Sequence, residues 1–447
     1  VAGFYLRGIL TGGQTGVDRA AMDAALQIGI PCDGWCPAGR RAEDGAIRPE
    51  YPLRETPSAD PDQRTRWNVF DSDATLIVAP EPLSGGTALS FTEALARARP
   101  LHRADPTDEG LEEARGWLTR LPPGRILNVS GPRESEWPGA SGEAGRFFQK
   151  LFRGVEHGRA TSSESDTVLI TGGAGFLGGR LLRNAPPFRE VHGTWRTTRA
   201  DTDGPMHRVE LADRRAVRSL FDDLRPALVI HTAYATGDLE RDIDQATSSV
   251  VAAAAETGAA LIHLSSDMVL DGESAPYPES AHPDPVNDYG RAKERAERLV
   301  RETLPGAAVV RTSLITSLDP PDPRTARVLA GLRGEFEIGL FRDEIRTPIL
   351  VDDLARQIWE IARLDEVLRQ GVWHLAGPES LSRYGIGLLV AAAFGLDPSP
   401  LRGASLRESP TPRPRDLRLS TARADRMLAT RAEPLSAAAE RILKDIA

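Results

Sequence analysis

TVLITGGAGFLGGRLLR, residues Thr167–Arg183, decides the fold of most of this chain. TVLIT reads as a short buried strand, a glycine-rich turn follows at once, and FLGGRLLR continues at helical spacing. Gly172, Gly175 and Gly178 make a GxxGxxG turn between them. Glycines there let a pyrophosphate approach backbone N–H groups, and the helix N-terminus adds favourable positive potential. The unit predicts a parallel, doubly wound sheet with a dinucleotide held at Gly172, Gly175, Phe176, Leu177 and Gly178.

Downstream, EVHGTWR, ALVIHTA, ALIHLSS and AAVVRTS read as further strands separated by helical stretches. The end of the second strand should meet the adenosine ribose, where a carboxylate favours NAD and cations favour NADP. Here Arg196, Thr197, Thr198 and Arg199 stand in that place and no acid occurs before Asp201, which predicts NADP.

Beyond the fourth strand, Pro285–Lys293 reads PVNDYGRAK. Tyr289 and Lys293 are four residues apart at the start of a helix, so their side chains share a face. An ammonium beside a phenol favours the phenolate, which predicts a lowered tyrosine pKa and a usable proton donor for a carbonyl oxygen receiving hydride. Lysine is scarce: of 55 basic residues only Lys150, Lys293 and Lys444 are lysines. With six tyrosines in the chain, on the order of 0.04 such Tyr–Lys pairs would arise by chance. The arginine excess reads as coding bias, yet Lys293 escapes it.

On these residues, together with TGGAGFLG, HTAY, HLSSDMVLDG, VVRTS, VDDLA, GVWHLAGPESLSRY and RPRDLRLS, the chain from 167 onward resembles the dTDP-4-dehydrorhamnose reductases. That family lies within the extended short-chain dehydrogenase/reductases. The resemblance implies NADPH as cofactor, a keto-sugar nucleotide as substrate, and a small C-terminal part that binds it. It also implies a catalytic trio of Ser266, Tyr289 and Lys293. Further cofactor contacts follow at His231 and Ala233, where the family has Asn-Ala-Ala. Met268 and Leu270 stand where the family carries aromatics, so the sugar itself is not specified. A related branch of this fold serves as a regulatory subunit of methionine adenosyltransferase, which keeps a non-catalytic, NADP-binding reading open. Members are often dimers, so a homodimer is compatible, although no interface stripe requires one.

Upstream of the opening turn the same strand–turn–helix grammar appears a second time in different words. FYLRGIL leads to Gly12-Gly13-Gln14-Thr15 and a helix from about Asp18; ATLIVAP leads to Ser84-Gly85-Gly86-Thr87; RILNVSG forms a third strand. Two glycine loops at neighbouring strand ends predict a cradle for a phosphorylated ligand. GGQTGVDRAAMDAA, GWCPAGRRAEDG, RTRWNVFDSDATLIV, SGGTALSFTEA and LNVSGPRES resemble the molybdenum-cofactor carrier family over residues 4–152. Its fold is similar to that of the lysine-decarboxylase-like nucleoside-phosphate hydrolases. The resemblance implies a pterin or nucleotide held by Gly12, Gly13, Gln14, Thr15, Gly85, Gly86 and Thr87, with Arg40 and Arg41 as phosphate partners. The related hydrolases place a glutamate where this chain has Ser90, and Glu93 lies a turn later, so hydrolysis is not expected.

The expected organisation is therefore two different doubly wound Rossmann-like α/β domains in tandem. They run over residues 1–153 and 167–447, with a small polar linker over 154–166. A net charge of −9 disfavours nucleic acid as a partner. No apolar run reaches the length of a membrane span. Val1–Gly13 lacks the pattern of a secretory signal. Cys32 and Cys36 are too few for a disulfide framework or a zinc site, so no metal is expected and the cytoplasm is the expected compartment.

Overall fold

The computed structural model describes residues 4–157, 167–199 and 204–446. It divides into two compact units, Val1–Ser163 with Pro186–Phe188, and Glu164–Ala185 with Arg189–Ala447. Residues 158–166 of the expected linker, and Asp201, lie outside the described residues. The first residues of that linker are not linker: Glu156–His157 pairs in parallel with Tyr5–Leu10 as an edge strand, and Val155 is buried.

The first unit is a parallel sheet in the order Glu156–His157, Tyr5–Leu10, Arg125–Ser130, Ala74–Val78, Leu101–Ala104, with Cys32–Asp33 also pairing Tyr5–Leu10. Alternation along the strands sends side chains to two faces. Leu127 and Val129 join the core beneath helices Val17–Ile28, Asp108–Leu118 and Ala140–Leu151. Asn128 and Ser130 point the other way, toward Thr75 and toward Ser90 on helix Gly85–Ala96.

The second unit carries a seven-stranded, wholly parallel sheet. Its order is Met206–Arg208, Glu190–Trp195, Thr167–Thr171, Leu228–His231, Ala260–Leu264, Ala308–Thr312, Gly371–Leu375, which in chain order reads 3-2-1-4-5-6-7. The order reverses beside Thr167–Thr171, and such a switch point opens a crevice at the carboxyl ends of the strands. Val168 and Ile170 pack on one face with helices Phe176–Arg183 and Val351–Ala362. Leu169, Val229, Leu261 and Val309 pack on the other with Arg214–Leu224, Ala246–Thr257 and Asp288–Thr303. Helices Pro323–Leu332, Arg383–Ala393 and Leu435–Ile446 build a separate small core with Leu318, Ile338 and Leu401.

One buried ion pair joins the elements around the crevice. Glu297, fully buried on helix Asp288–Thr303, accepts from Nε and Nη2 of Arg311 at 3.0 and 2.8 Å, and from the Ser265 hydroxyl at 2.5 Å. Arg311 also donates to the Ala281 carbonyl at 3.0 Å. Removing one partner leaves a buried charge alone. Glu297→Gln should therefore cost about 3 kcal/mol of stability, read as a lower urea midpoint with an unchanged slope.

The start of the last helix and the segment before it are held by carboxylates. Glu433 N–H donates to Asp353 at 2.8 Å, Thr430 N–H and hydroxyl donate to Glu360, and Ser436 N–H donates to Glu379. Burial, aided by the charges of Glu433 and Asp352, pushes the Asp353 carboxyl up to about 7. A raised carboxyl binds its proton more tightly in the folded chain, so its stabilising contribution is complete at low pH and is lost as pH rises towards 7. In Asp353→Asn that part of the fall in stability between about pH 4 and pH 7 should vanish, measured as melting temperature against pH.

Candidate functional site: a dinucleotide cleft

Gly172 takes φ +72°, and a Cβ there would lie 2.9 Å from the Ala233 backbone, so only glycine fits the turn after the first strand. A Cβ on Gly178 would lie 2.1 Å from the Gly172 carbonyl oxygen. These absences bring helix Phe176–Arg183, with no acidic residue in its first turn, to the edge of a cleft of about 910 Å³. Gly172, Gly175, Phe176, Leu177 and Gly178 all line it. Such a turn and helix end suit a pyrophosphate.

After the strand Glu190–Trp195 the outcome is mixed. Arg196 and Thr197 line the cleft. Arg196 is partly exposed but pairs with Asp242 at 2.5 Å. Arg199 is exposed and is not part of the wall. His231 also departs from expectation. It ends a central strand facing the core, with Nδ1 2.6 Å from the Thr171 hydroxyl and Nε2 3.2 Å from that of Thr247. Burial, then the nearby Lys293, pushes its pKa down to about 3, so it is neutral and structural. The cleft is lined instead by Thr232 and Ala233.

Ser266, Tyr289 and Lys293 all line the same cleft. Helix Asp288–Thr303 is capped by Asn287, whose side chain accepts from Gly290 N–H at 2.9 Å. Gly290 permits the approach that matters: a Cβ there would lie 2.2 Å from the Met268 carbonyl oxygen. This close contact brings Tyr289 beside the Ser266 loop, near enough for the Ser266 hydroxyl to act on the phenol. Lys293 is buried and donates from Nζ to the Leu264 carbonyl at 2.9 Å. Burial, opposed by Glu297, pushes its ammonium down to about 8. Tyr289 contradicts the expected lowering: burial first, then the adjacent Tyr234, pushes its phenol well above the ordinary value. The phenol is therefore held protonated, the form in which it can donate.

Tyr234 was not singled out by spacing. Its ring lies 5.0 Å from Lys293 Nζ and 6.0 Å from the Tyr289 ring. The only cue was its place directly after Ala233 in HTAY.

In the first unit, the loops at Gly12–Thr15 and Gly85–Thr87 follow strands that are not neighbours. Strand Arg125–Ser130 runs between them. Its own following loop joins the group, with Glu134 N–H donating to the Thr15 hydroxyl at 3.2 Å. Gln14 accepts from the N–H groups of Thr15 and Glu43, both at 3.0 Å, and Thr15 bonds Glu43. These side chains hold the loops together. Arg40 does not fit the role of phosphate partner, because its guanidinium donates to the carbonyls of Ile47, Arg48, Tyr51 and Leu53. Arg41 is exposed on the two-residue strand Arg41–Ala42.

One cation at the glycine loops is Arg64, within RTRWNVFDSD, which no local pattern marks. A Cβ on Gly12 would overlap its guanidinium, one on Gly86 would lie 3.8 Å from the neighbouring Thr65 hydroxyl, and its Nη1 pairs with buried Asp18 at 3.2 Å. Arg64 Nε and the Thr87 hydroxyl are both buried without a hydrogen-bond partner. Ser90 is buried against Ser130 at 2.8 Å, and Glu93 is paired with Arg66 and Arg97. Neither supplies a general base. The Cys32 and Cys36 thiols are both pushed up to about 11, chiefly by burial.

The sheet order, the glycine turn and the Ser–Tyr–Lys cluster define the second unit as a Rossmann-like fold of the reductase type. Residues 166–447 match the RmlD substrate binding domain family, and the chain belongs to it. Residues 9–152 match the circularly permutated YpsA SLOG family. Methionine adenosyltransferase 2 subunit beta of Mus musculus is 31% identical over 256 residues, covering 53% of this chain and 75% of that protein. The probable low-salt glycan biosynthesis reductase Agl14 of Haloferax volcanii is 28% identical over 275 residues, covering 56% and 87%. The crystal structure of a hypothetical dTDP-4-dehydrorhamnose reductase from Sulfolobus tokodaii is 26% identical and superposes with a TM-score of 0.53 over 60% of this chain and 98% of that one. Among the described residues no helix is long and apolar enough to cross a membrane.

The cleft turns on its glycines. In Gly178→Ala the added methyl must push the turn off the helix, so a melting-temperature rise produced by NADP+ in the wild type should be absent in the variant.

Proposed function

We propose that the second unit is an NADP-dependent reductase of a carbonyl in a sugar-nucleotide-type substrate, with Ser266, Tyr289 and Lys293 as its catalytic residues. The observation that carries this reading is the convergence of these three side chains on the wall of a cleft that begins at a glycine turn. When bound, a reduced nicotinamide supplies hydride. The Ser266 hydroxyl donates to the substrate carbonyl oxygen and orients it. Tyr289 hands its proton to the same oxygen as negative charge develops there. Lys293 holds the ribose and, as a buried cation, stabilises the phenolate that remains. The Haloferax and Sulfolobus relatives support this reading through the reductase names they carry.

NADP over NAD rests on Arg196 and Thr197. Because Asp242 already engages Arg196, the preference should be moderate. Arg196→Ala should lower the ratio of NADPH to NADH affinity by about tenfold, measured by fluorescence titration of the full chain.

The first unit, over residues 1–153 in this reading, is a carrier for a phosphorylated ligand, molybdenum cofactor or nucleotide, held by the glycine loops and Arg64. The unpartnered Arg64 Nε and Thr87 hydroxyl support it. A fluorescent oxidised pterin extracted from protein made under molybdenum-replete conditions would support the carrier; its absence would count against it.

A second reading is a non-catalytic, NADP-binding regulatory protein, favoured by the likeness to methionine adenosyltransferase 2 subunit beta. Supplying dTDP-4-dehydrorhamnose or a related keto-sugar nucleotide separates the two. A reductase consumes NADPH and loses roughly a hundredfold or more of its turnover in Tyr289→Phe. A regulatory protein binds NADP, reduces nothing, and is indifferent to that change.

A further inference from the structure

The glycine loops of the first unit are faced by carboxylates of the chain itself. Strands Arg41–Ala42 and Gly45–Ala46 pair antiparallel and leave Glu43 and Asp44 at the tip of a hairpin. Glu43 accepts from the hydroxyls of Thr15 and Ser135 and, at 3.2 Å, from the Ser135 N–H. Asp44 takes both ends of the Arg19 guanidinium at 2.5 and 2.8 Å, and Arg19 is itself tied to the Gly13 carbonyl at 3.0 Å. The foot of the hairpin rests on the same loop. A Cβ on Gly13 would lie 2.3 Å from Leu53 and 3.4 Å from Ile47, two of the residues whose carbonyls Arg40 gathers.

A second carboxylate stands at the other loop, where a Cβ on Gly85 would lie 3.1 Å from Glu136 Oε1. Arg133 joins the two acids, with Nε 2.9 Å from Glu136 and 3.9 Å from Glu43. Glu134 takes no part, since it accepts from the N–H groups of Gly139 and Ser141. What Glu43 receives is two hydroxyls, one backbone N–H and a nearby guanidinium. Phosphoryl oxygens take the same set of donors. Although it lies at a hairpin tip, the Glu43 side chain is only 20% exposed. Burial opposes its charge, but hydrogen bonds from Ser135 and Thr15 prevail and hold the carboxyl below its ordinary value. Two anions cannot share one set of donors without strong repulsion.

We propose that hairpin 41–46 is an autoinhibitory strap on the ligand site of the first unit: Glu43 holds the donors of Thr15 and Ser135 that a ligand's phosphoryl group takes, and Arg133 passes from Glu43 and Glu136 to that group when the strap lifts. The assignment rests on the phosphorylated-ligand reading of this unit and adds its regulation. Arg64 Nε and the Thr87 hydroxyl, which make no hydrogen bond to the hairpin, are the fixed part of the site. The strap is the movable part. Apparent affinity is then reduced by the fraction of molecules in which the strap is open.

The test is calorimetric titration of the full chain with inorganic pyrophosphate at low salt, wild type against Glu43→Gln, which keeps the side chain's shape and removes its charge. Affinity should rise about tenfold in Glu43→Gln, and the gain should be lost when Ser135→Ala is added. In the wild type, hydrogen exchange over residues 41–46 should quicken when pyrophosphate is added. Only differences between chains are read, because the glycine turn of the second unit also suits pyrophosphate. A Glu43→Gln chain that binds no tighter, a gain that survives Ser135→Ala, or exchange that does not quicken overturns the strap. Thr87→Val reports on the site beneath it. If Thr87→Val weakens binding while Glu43→Gln changes nothing, the strap falls and the phosphorylated-ligand reading stands; if neither variant changes binding, both fall.

Discussion

The chemistry of the second unit hangs on the ion pair between Glu297 and Arg311. Tyr289, Lys293 and Glu297 are successive turns of one helix stripe. The first two face the cleft, and the third is locked to the strand Ala308–Thr312 and to the loop that carries Ser265 and Ser266. A guanidinium fork met by a carboxylate is among the more directional contacts a protein can make. Here it fixes the rotation of the helix, its distance from the strand and the start of the Ser266 loop. Gly290 then lets the helix sit against the Met268 carbonyl. Without both constraints the two hydroxyls would share a sequence pattern and not a site.

The two units use similar turns for different economies of polar groups. In the second, the N–H groups of Gly172, Ala174 and Gly175 are bonded within the turn or to Thr194, and the turn and helix end line a deep cleft. In the first, Gln14, Thr15 and Arg40 are consumed in holding loops together. What stays available is Arg64 and the Thr87 hydroxyl. A phosphate there would complete hydrogen bonds that the loops leave open, while Ser90 and Glu93 are engaged elsewhere.

The parallel architecture was legible in the sequence because central strands are buried on both faces and read as apolar runs. The outer strands Leu101–Ala104 and Met206–Arg208 were not, being short and carrying His and Arg at the sheet edge. Tyr289 and Lys293 were legible because a helix puts residues at that spacing on one face without help from distant residues. His231 was misplaced because the family position was carried over without asking which face of the strand it occupied. Arg40 was misplaced because its four carbonyl partners come from a loop whose course no local pattern encodes. Tyr234 and Arg64 were missed for the same reason: each acquires its place only from what the fold brings beside it.

Whether Tyr289 is a proton donor beside a nicotinamide is the central claim, and its ionisation reports on it directly. Ultraviolet titration of the full chain against Tyr289→Phe isolates the signal of this one phenol. In the free protein it should ionise well above the ordinary tyrosine value of about 10. With NADP+ bound, a cationic ring beside it should bring its ionisation to clearly lower pH. An unchanged or higher midpoint in the complex would contradict the account.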